Sequence, residues 1–452
     1  MPDPPSIMFV VVDSLRADRL HGANKTPSVP ALDGLAAGGT LFATSISPAA
    51  STLESVGSML TGLFPPRSGM SSPSYEKVGR GVENYVALLR RRGYSTHITQ
   101  SSIAEMIGIP EEFEHRVDSV KRNNYLSLHD GLGGRLLDAV REMERDPPWF
   151  FYIHLNDLHS PISVPGRFQG DEYGGTSYDR MISVIDHWLG RIIDIVDLDR
   201  TLIAVTSDHG EYVRSVARDG IRINLEGGRV EKSLWKASSF VPEALYPAVH
   251  RTSAAMNAAR SRMRAAKARG AGLSPSEERT LVATRSSPGH HMFDDTLVTP
   301  LLLRGPGVAA GRIVGQQVRN VDIFPTIMEL CGLDGIPGVD GRSLLPLMRG
   351  DAVEEDPAYI ESMPAIRESK KVAGIRTSGF KYLRDADGGG ERVLYDLSSD
   401  PGEERNVAGE NPGAVDRLEG ILSGILAGGA AGGGTDEERK KVEDELRKMG
   451  YV

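Results

Sequence analysis

The chain is 452 residues long and carries a net charge of −9, with 40% apolar and 25% charged residues. Those proportions are ordinary for a soluble globular protein, and the length allows one core supplemented by a second unit. The acidic balance speaks against general nucleic-acid binding, and a single cysteine, Cys331, excludes an internal disulfide framework.

In chain order, the N-terminal MPDPPS leads into a six-residue apolar run with no basic stretch ahead of it. The run is too short for a signal peptide or a membrane span, so the expected location is cytoplasmic, with no membrane partner. The lone cysteine fits a reducing compartment, although a secreted cysteine-poor protein would look the same. Residues 8–13 (MFVVVD) read as a strand ending in Asp13. A short helix is predicted at 29–37, and a second helix opens at Ser51-Thr52 after the turn at Ser47-Pro48. The 85–92 helix leads to a strand at 95–99; 149–155 (WFFYIHL) is an apolar strand and 178–196 a long amphipathic helix. Another apolar run at 202–205 ends in TSDHGE, which carries Asp208 and His209, and 300–303 is a further strand.

Such alternation places the chain in the α/β class, with a mostly parallel central sheet flanked by helices on both faces. After about residue 361 the texture changes to short strands and turns at 372–376, 380–383 and 392–395. The expected division is therefore a catalytic domain over 1–360 and a small C-terminal α+β subdomain over 361–426. A Gly/Ala linker and a charged terminal helix at 436–449 complete the chain to 452. Charge is uneven within it: residues 212–288 hold fourteen Lys/Arg against six Asp/Glu. Inside that basic insertion, 255–269 is Ala-rich and helical by propensity. A solvated helix is one reading, and a basic lid or substrate-gripping element is the other.

Two strands that both end in metal-type ligands, Asp13 on one and Asp208-His209 on the other, point to a metal site. Carboxylate and imidazole at the carboxyl ends of neighbouring strands are how an open α/β sheet assembles a site from distant sequence. Thr52 adds a hydroxyl at the first turn of a helix, near unpaired N–H groups and the positive end of the dipole, where an alkoxide and an anionic ester are stabilised. An ordinary N-cap is the plainer reading of that position.

The motifs, in order, resemble the alkaline phosphatase/sulfatase superfamily over nearly the whole chain. VVVDSLRADRL, TPSVPALDGLAAGGTLF and SMLTGLFPPRSG look like the opening of a sulfatase-type domain. FFYIHLNDLHSP, TSDHGE, GHHMFDDTLVTPLLLRGPGV, VDIFPTIMELCGL and KYLRDADGGGERVLYDLSSDPGEERN are similar to its later segments. Sulfatases of this superfamily mature a cysteine or serine in a C/S-x-P-x-R setting to formylglycine. That position is Thr52 here, with Glu54 in place of the proline and Val56 in place of the arginine. Ser14 stands where a second aspartate is usual, and His209 where an asparagine is usual.

These departures imply an unmodified threonine acting on phosphate esters, with Asp13, Thr52, Asp208 and His209 as the protein ligands of one divalent metal. Zn or Mn suits that donor set, with Mg or Ca also compatible. By resemblance, Thr52 is the expected nucleophile and His159 the substrate-binding or leaving-group histidine. Asp157, His290 and His291 are expected to contact the anion, one histidine of the pair being in the site. Asp157 and the histidines also leave room for a second metal. His154, inside its strand, reads as structural, and His21 and His250 as surface or core residues. The expected partner is a small anionic ester, with homo-oligomerisation left open. A sulfate-ester hydrolase, a phospho-group transferase and a non-catalytic anion-binding protein are the competing readings.

Overall fold

The strand β1 (Ser6–Val12) is buried along its whole length, which is why its sequence from Ile7 onward is an unbroken apolar run. In this computed structural model the described residues are 4–70, 77–99, 101–117, 120–121, 124–159, 162–218, 221–226, 262–264, 266, 272–283, 292–362, 371–430, 435, 437 and 440–441. The central sheet contains, after β1, the strands β2 (Thr40–Ile46), β3 (Ser95–Ile98), β4 (His115–Arg116) and β5 (Trp149–Leu155). It continues with β6 (Thr201–Thr206), β7 (Val298–Arg304), β8 (Arg312–Val314) and β9 (Val318–Arg319). Across the sheet the order is β8-β2-β7-β6-β1-β5-β3-β4, with β9 also paired to β2. Pairing is parallel except around β7, which runs antiparallel to both β2 and β6.

Alternation along β1 sorts its side chains onto two cores. Ile7, Phe9 and Val11 pack with the helices α2 (Thr52–Thr61), α3 (Tyr85–Arg91) and α6 (Ile323–Leu330). Met8, Val10 and Val12 face the opposite layer of α1 (Pro30–Ala37), α4 (Gly133–Met143) and α5 (Ser177–Ile193). The mostly parallel sheet covered on both faces is thus as the sequence indicates. Among the described residues no helix is long and apolar enough to cross a membrane.

A second sheet of four antiparallel strands, β10 (Ala358–Glu361), β11 (Val372–Arg376), β12 (Phe380–Asp385) and β13 (Val393–Asp396), is covered by α7 (Pro412–Ala427). Its first strand begins three residues ahead of the expected boundary at 361. The basic insertion differs from a purely helical one in its described parts. It opens with a hairpin, Ser215–Arg218 against Ile221–Asn224, and closes with a helix at Pro275–Val282 held by a Ser274/Glu277 capping box. Of the predicted 255–269 helix, residues 262–264 and 266 are helical and the rest lies outside the described residues, as does most of the predicted 436–449 helix.

Candidate metal centre

The register of the parallel strands decides which residues meet. Val11 pairs with both His154 of β5 and Thr206 of β6, so Asp13, His159 and Asp208 all leave the sheet at one carboxyl edge. The Asp13 N–H donates to the Leu155 carbonyl (2.9 Å), which continues the ladder one residue past β1. On the far side, the turn after β2 is tied to the same edge: Ser47 Oγ donates to the Asp208 carbonyl (2.5 Å). That contact brings the start of α2 over the strand ends.

Asp13, Asp208 and His209 form a buried group whose ligand atoms all lie within 4.8 Å of one another. Thr52 Oγ1 donates to Asp208 Oδ2 at 2.7 Å, completing the four residues expected to hold a metal. His209 Nδ1 lies 2.8 Å from the Gly210 carbonyl, which only accepts, so the ring proton sits on Nδ1. Its Nε2 is buried and without a hydrogen-bond partner, 4.0 Å from Asp13 Oδ1 and 3.7 Å from Asp208 Oδ2. An orphaned buried nitrogen beside two carboxylates and a hydroxyl fits a divalent ion. Burial alone would raise the Asp13 carboxyl, but the imidazoles of His154, His209 and His159 outweigh it and hold that group well below the ordinary carboxylate range.

Glycine in the DHG turn is a steric requirement. A Cβ on Gly210 would stand 2.2 Å from the Asp295 carbonyl oxygen, and the Gly210 N–H donates to the Thr296 carbonyl at 2.7 Å. Arg16 knits the turn after β1 to the same place, donating to the Glu211 carbonyl (3.1 Å) and pairing with Asp18 and Asp295.

His154 is a residue that the sequence reading set aside as structural. Its ring is fully buried with Nδ1 2.8 Å from the Tyr152 hydroxyl, and Nε2 has no hydrogen-bond partner and lies 3.8 Å from Asp13 Oδ2. At that separation the contact is electrostatic and not a hydrogen bond. Only the register of β5 against β1 reveals it, since Val11, two residues ahead of Asp13, pairs with His154. Glu54, which stands in place of the family's proline, is buried, accepts from the Ser51 hydroxyl, and has its carboxyl pushed up to about 7 by burial, with Glu361 adding to the rise.

The remaining site residues divide. His159 follows β5, and its imidazole acts on Asp13. Asp157 has a local partner: its carboxylate accepts from the Leu128 N–H (3.0 Å), and burial pushes it up to about 7. Among the described residues it joins no cluster of metal-type ligands. His290 and His291 lie outside the described residues.

Comparison with known proteins agrees with this architecture. A sequence model described as Sulfatase matches residues 5–333, and one described as N-sulphoglucosamine sulphohydrolase, C-terminal, matches residues 289–418. Arylsulfatase K of Danio rerio is 34% identical over 140 residues, and that of Homo sapiens 32% identical over 143. Each match covers 30% of this chain and 27% of the relative, so the chain spans about a quarter of the length of these curated relatives. Among solved structures, the phosphonate monoester hydrolase of Agrobacterium radiobacter superposes with a TM-score of 0.65 at 19% identity, covering 94% of this chain and 95% of that one. A protein solved with its substrate D-glucosamine-2-N,6-O-disulfate gives 0.62 at 15%, covering 98% and 99%. At those identities the likeness concerns the fold. With a family model running from residue 5 to residue 333, across every strand end that carries Asp13, Asp208 and His209, the chain belongs to the sulfatase family.

Proposed function

We propose that this sulfatase-family chain is a divalent-metal-dependent hydrolase of small phosphate esters that works through a covalent phospho-threonine at Thr52. The observation that carries this reading is Thr52 itself: a threonine hydroxyl at the first turn of α2, 2.7 Å from Asp208 Oδ2.

A divalent ion held by Asp13, Thr52, Asp208 and His209 would lower the pKa of the threonine hydroxyl and neutralise charge on the phosphoryl group. Zn or Mn suits the mixed carboxylate, hydroxyl and imidazole donors. Asp208 Oδ2 is within reach of the Thr52 proton, so Oγ1 can attack phosphorus as that proton leaves. The N–H groups at the start of α2 favour the anionic group in front of them, since the Ser51 side chain caps none of them and instead donates to Glu54. His159 gives a proton to the departing oxygen. Water then attacks phosphorus, breaks the bond to Thr52 Oγ1 and returns the threonine hydroxyl with inorganic phosphate or a phosphomonoester as product.

A sulfate-ester hydrolase is the second reading, and the Arylsulfatase K relatives favour it. Against it stands the residue type at position 52. A formylglycine hydrate has a second hydroxyl that expels sulfate by elimination, and threonine has none, so a sulfo-threonine would have to be cleaved at sulfur.

Acid-quenched turnover of an aryl phosphate, followed by peptide mass spectrometry, tests the proposal. Phosphate is expected on the peptide that carries Thr52, and on none of the peptides of Thr52→Ala. Label on another residue, or an aldehyde at Thr52 or Ser51, would overturn it.

A further inference from the structure

Among the described residues other than glycine, only Ser14 and Glu403 have positive φ, and Ser14, at +66°, adjoins the metal-type aspartate Asp13. Side chains with a Cβ avoid this region, so the surroundings must hold Ser14 there. The Tyr178 hydroxyl does so by donating to the Ser14 carbonyl at 2.6 Å, and Ser14 is fully buried.

The conformation sends the two donors of one residue to two different carboxylates. Ser14 Oγ donates to Asp13 Oδ1 at 2.6 Å, while the Ser14 N–H donates to Asp208 Oδ1 at 3.1 Å. Asp208 Oδ1 also receives the His209 N–H at 2.8 Å, leaving Oδ2 toward Thr52 Oγ1 at 2.7 Å. Each carboxylate therefore has one oxygen engaged by Ser14. An oxygen that already accepts a hydrogen bond is a poorer arm for chelation, and on Asp13 the engaged Oδ1 is the one 4.0 Å from His209 Nε2. The Ser14 hydroxyl itself, with its proton committed to Asp13, supplies no anionic donor.

Ca²⁺ takes six to eight oxygen ligands and often chelates a carboxylate through both oxygens, whereas Zn²⁺ and Mn²⁺ accept fewer donors that include imidazole nitrogen. We propose that Ser14 is a positioning residue that sets the metal preference of the site: by gripping Asp13 and Asp208 through one oxygen each, it disfavours Ca²⁺ relative to Mn²⁺ and Zn²⁺. This rests on the metal-site reading given above.

The test is direct titration of Mn²⁺, Zn²⁺ and Ca²⁺ into the full-length wild type, Ser14→Gly and Ser14→Asp. Ser14→Gly relieves the positive φ, keeps the N–H to Asp208 and loses the hydroxyl to Asp13, so it separates the hydrogen bond from the strain. It should unfold, metal-free, no more easily than the wild type. It should bind Mn²⁺ and Zn²⁺ about ten- to a hundredfold more weakly, as loss of a group that orients a metal ligand does, with Ca²⁺ affected far less. Ser14→Asp adds a carboxylate and should narrow the same Ca²⁺-to-Mn²⁺ ratio by tightening Ca²⁺. If metal binding is intact and the ratio is unchanged in both variants, the role assigned to Ser14 is wrong. A wild type that binds no stoichiometric Mn²⁺ or Zn²⁺ would overturn the metal site itself, and this inference with it.

Discussion

Replacing Thr52 by alanine removes one oxygen, and two separable losses follow. Thr52 is the first residue of α2, whereas the N-cap is Ser51, so the substitution does not uncap the helix. What the fold loses is the hydrogen bond from Oγ1 to the Asp208 carboxylate at 2.7 Å. Such a bond to a charged acceptor is worth about 1.5–3 kcal/mol, and alanine's better helix propensity returns about 0.5 kcal/mol. The net cost to the metal-free fold is therefore about 2 kcal/mol, well within what a protein of this size tolerates. If Oγ1 is the nucleophile, activity should fall by at least about a thousandfold, a barrier increase of about 4 kcal/mol. Thr52→Ser keeps the oxygen and should retain activity within about tenfold of the wild type. The assay is saturating turnover of an aryl phosphate with Mn²⁺, alongside denaturant unfolding of each variant. An alanine variant that keeps more than a few per cent of wild-type turnover would refute the assignment, and Ser51 would become the residue to test next. A serine variant as inactive as the alanine one would refute it equally.

Two other predictions concern the metal ligands and a buried carboxyl outside their group. Asp208→Ala and His209→Ala should each purify without stoichiometric metal, because every missing donor weakens binding sharply. Metal analysis showing full occupancy in either variant would contradict the ligand set. Asp157 gives a pH test: its carboxyl is held up to about 7, above an ordinary 3.8, so protonation favours the folded state. The contribution is complete below about 4 and is lost as pH rises through about 7, a change of up to about 4 kcal/mol. Asp157→Asn still accepts from the Leu128 N–H, so it should be more stable than the wild type at pH 8 and similar to it at pH 4. A stability difference equal at both pH values would show that the group does not titrate as described.

Much of this site was legible because its ligands sit where apolar runs stop. The run of β1 ends in Asp13 and that of β6 ends just ahead of Asp208, and two parallel strands flanked by helices have little choice but to bring such ends to one edge. Thr52 stands out because it opens the helix that Gly62 closes, a glycine at φ +70° where a Cβ would stand 3.1 Å from Val339. Elsewhere the signal was weaker. The strand β2 (TLFATSI) is half polar because its polar positions serve buried partners, as when Ser45 Oγ donates to Asn320 Oδ1 at 2.8 Å. The antiparallel direction of β7 is set by its pairing with β2 and β6, which no local pattern encodes. His154 gave no local cue, since an imidazole inside an apolar strand declares itself only through register with a neighbouring strand. Asp157 lies in a motif-like segment, and the hydrogen bond that its carboxylate accepts from the Leu128 N–H is a contact no local pattern encodes.

The central claim is that Thr52 directs this member of the sulfatase family toward phosphate esters. Its most direct measurement is the ratio of kcat/KM for 4-nitrophenyl phosphate to that for 4-nitrophenyl sulfate, on the same metal-loaded preparation. The leaving group is common to both, so the ratio reports the central atom alone. A preference for phosphate of at least about a hundredfold is expected, about 2.7 kcal/mol of barrier. A ratio near one, or a preference for the sulfate, would contradict the claim and leave a sulfatase with an unmodified threonine to be explained.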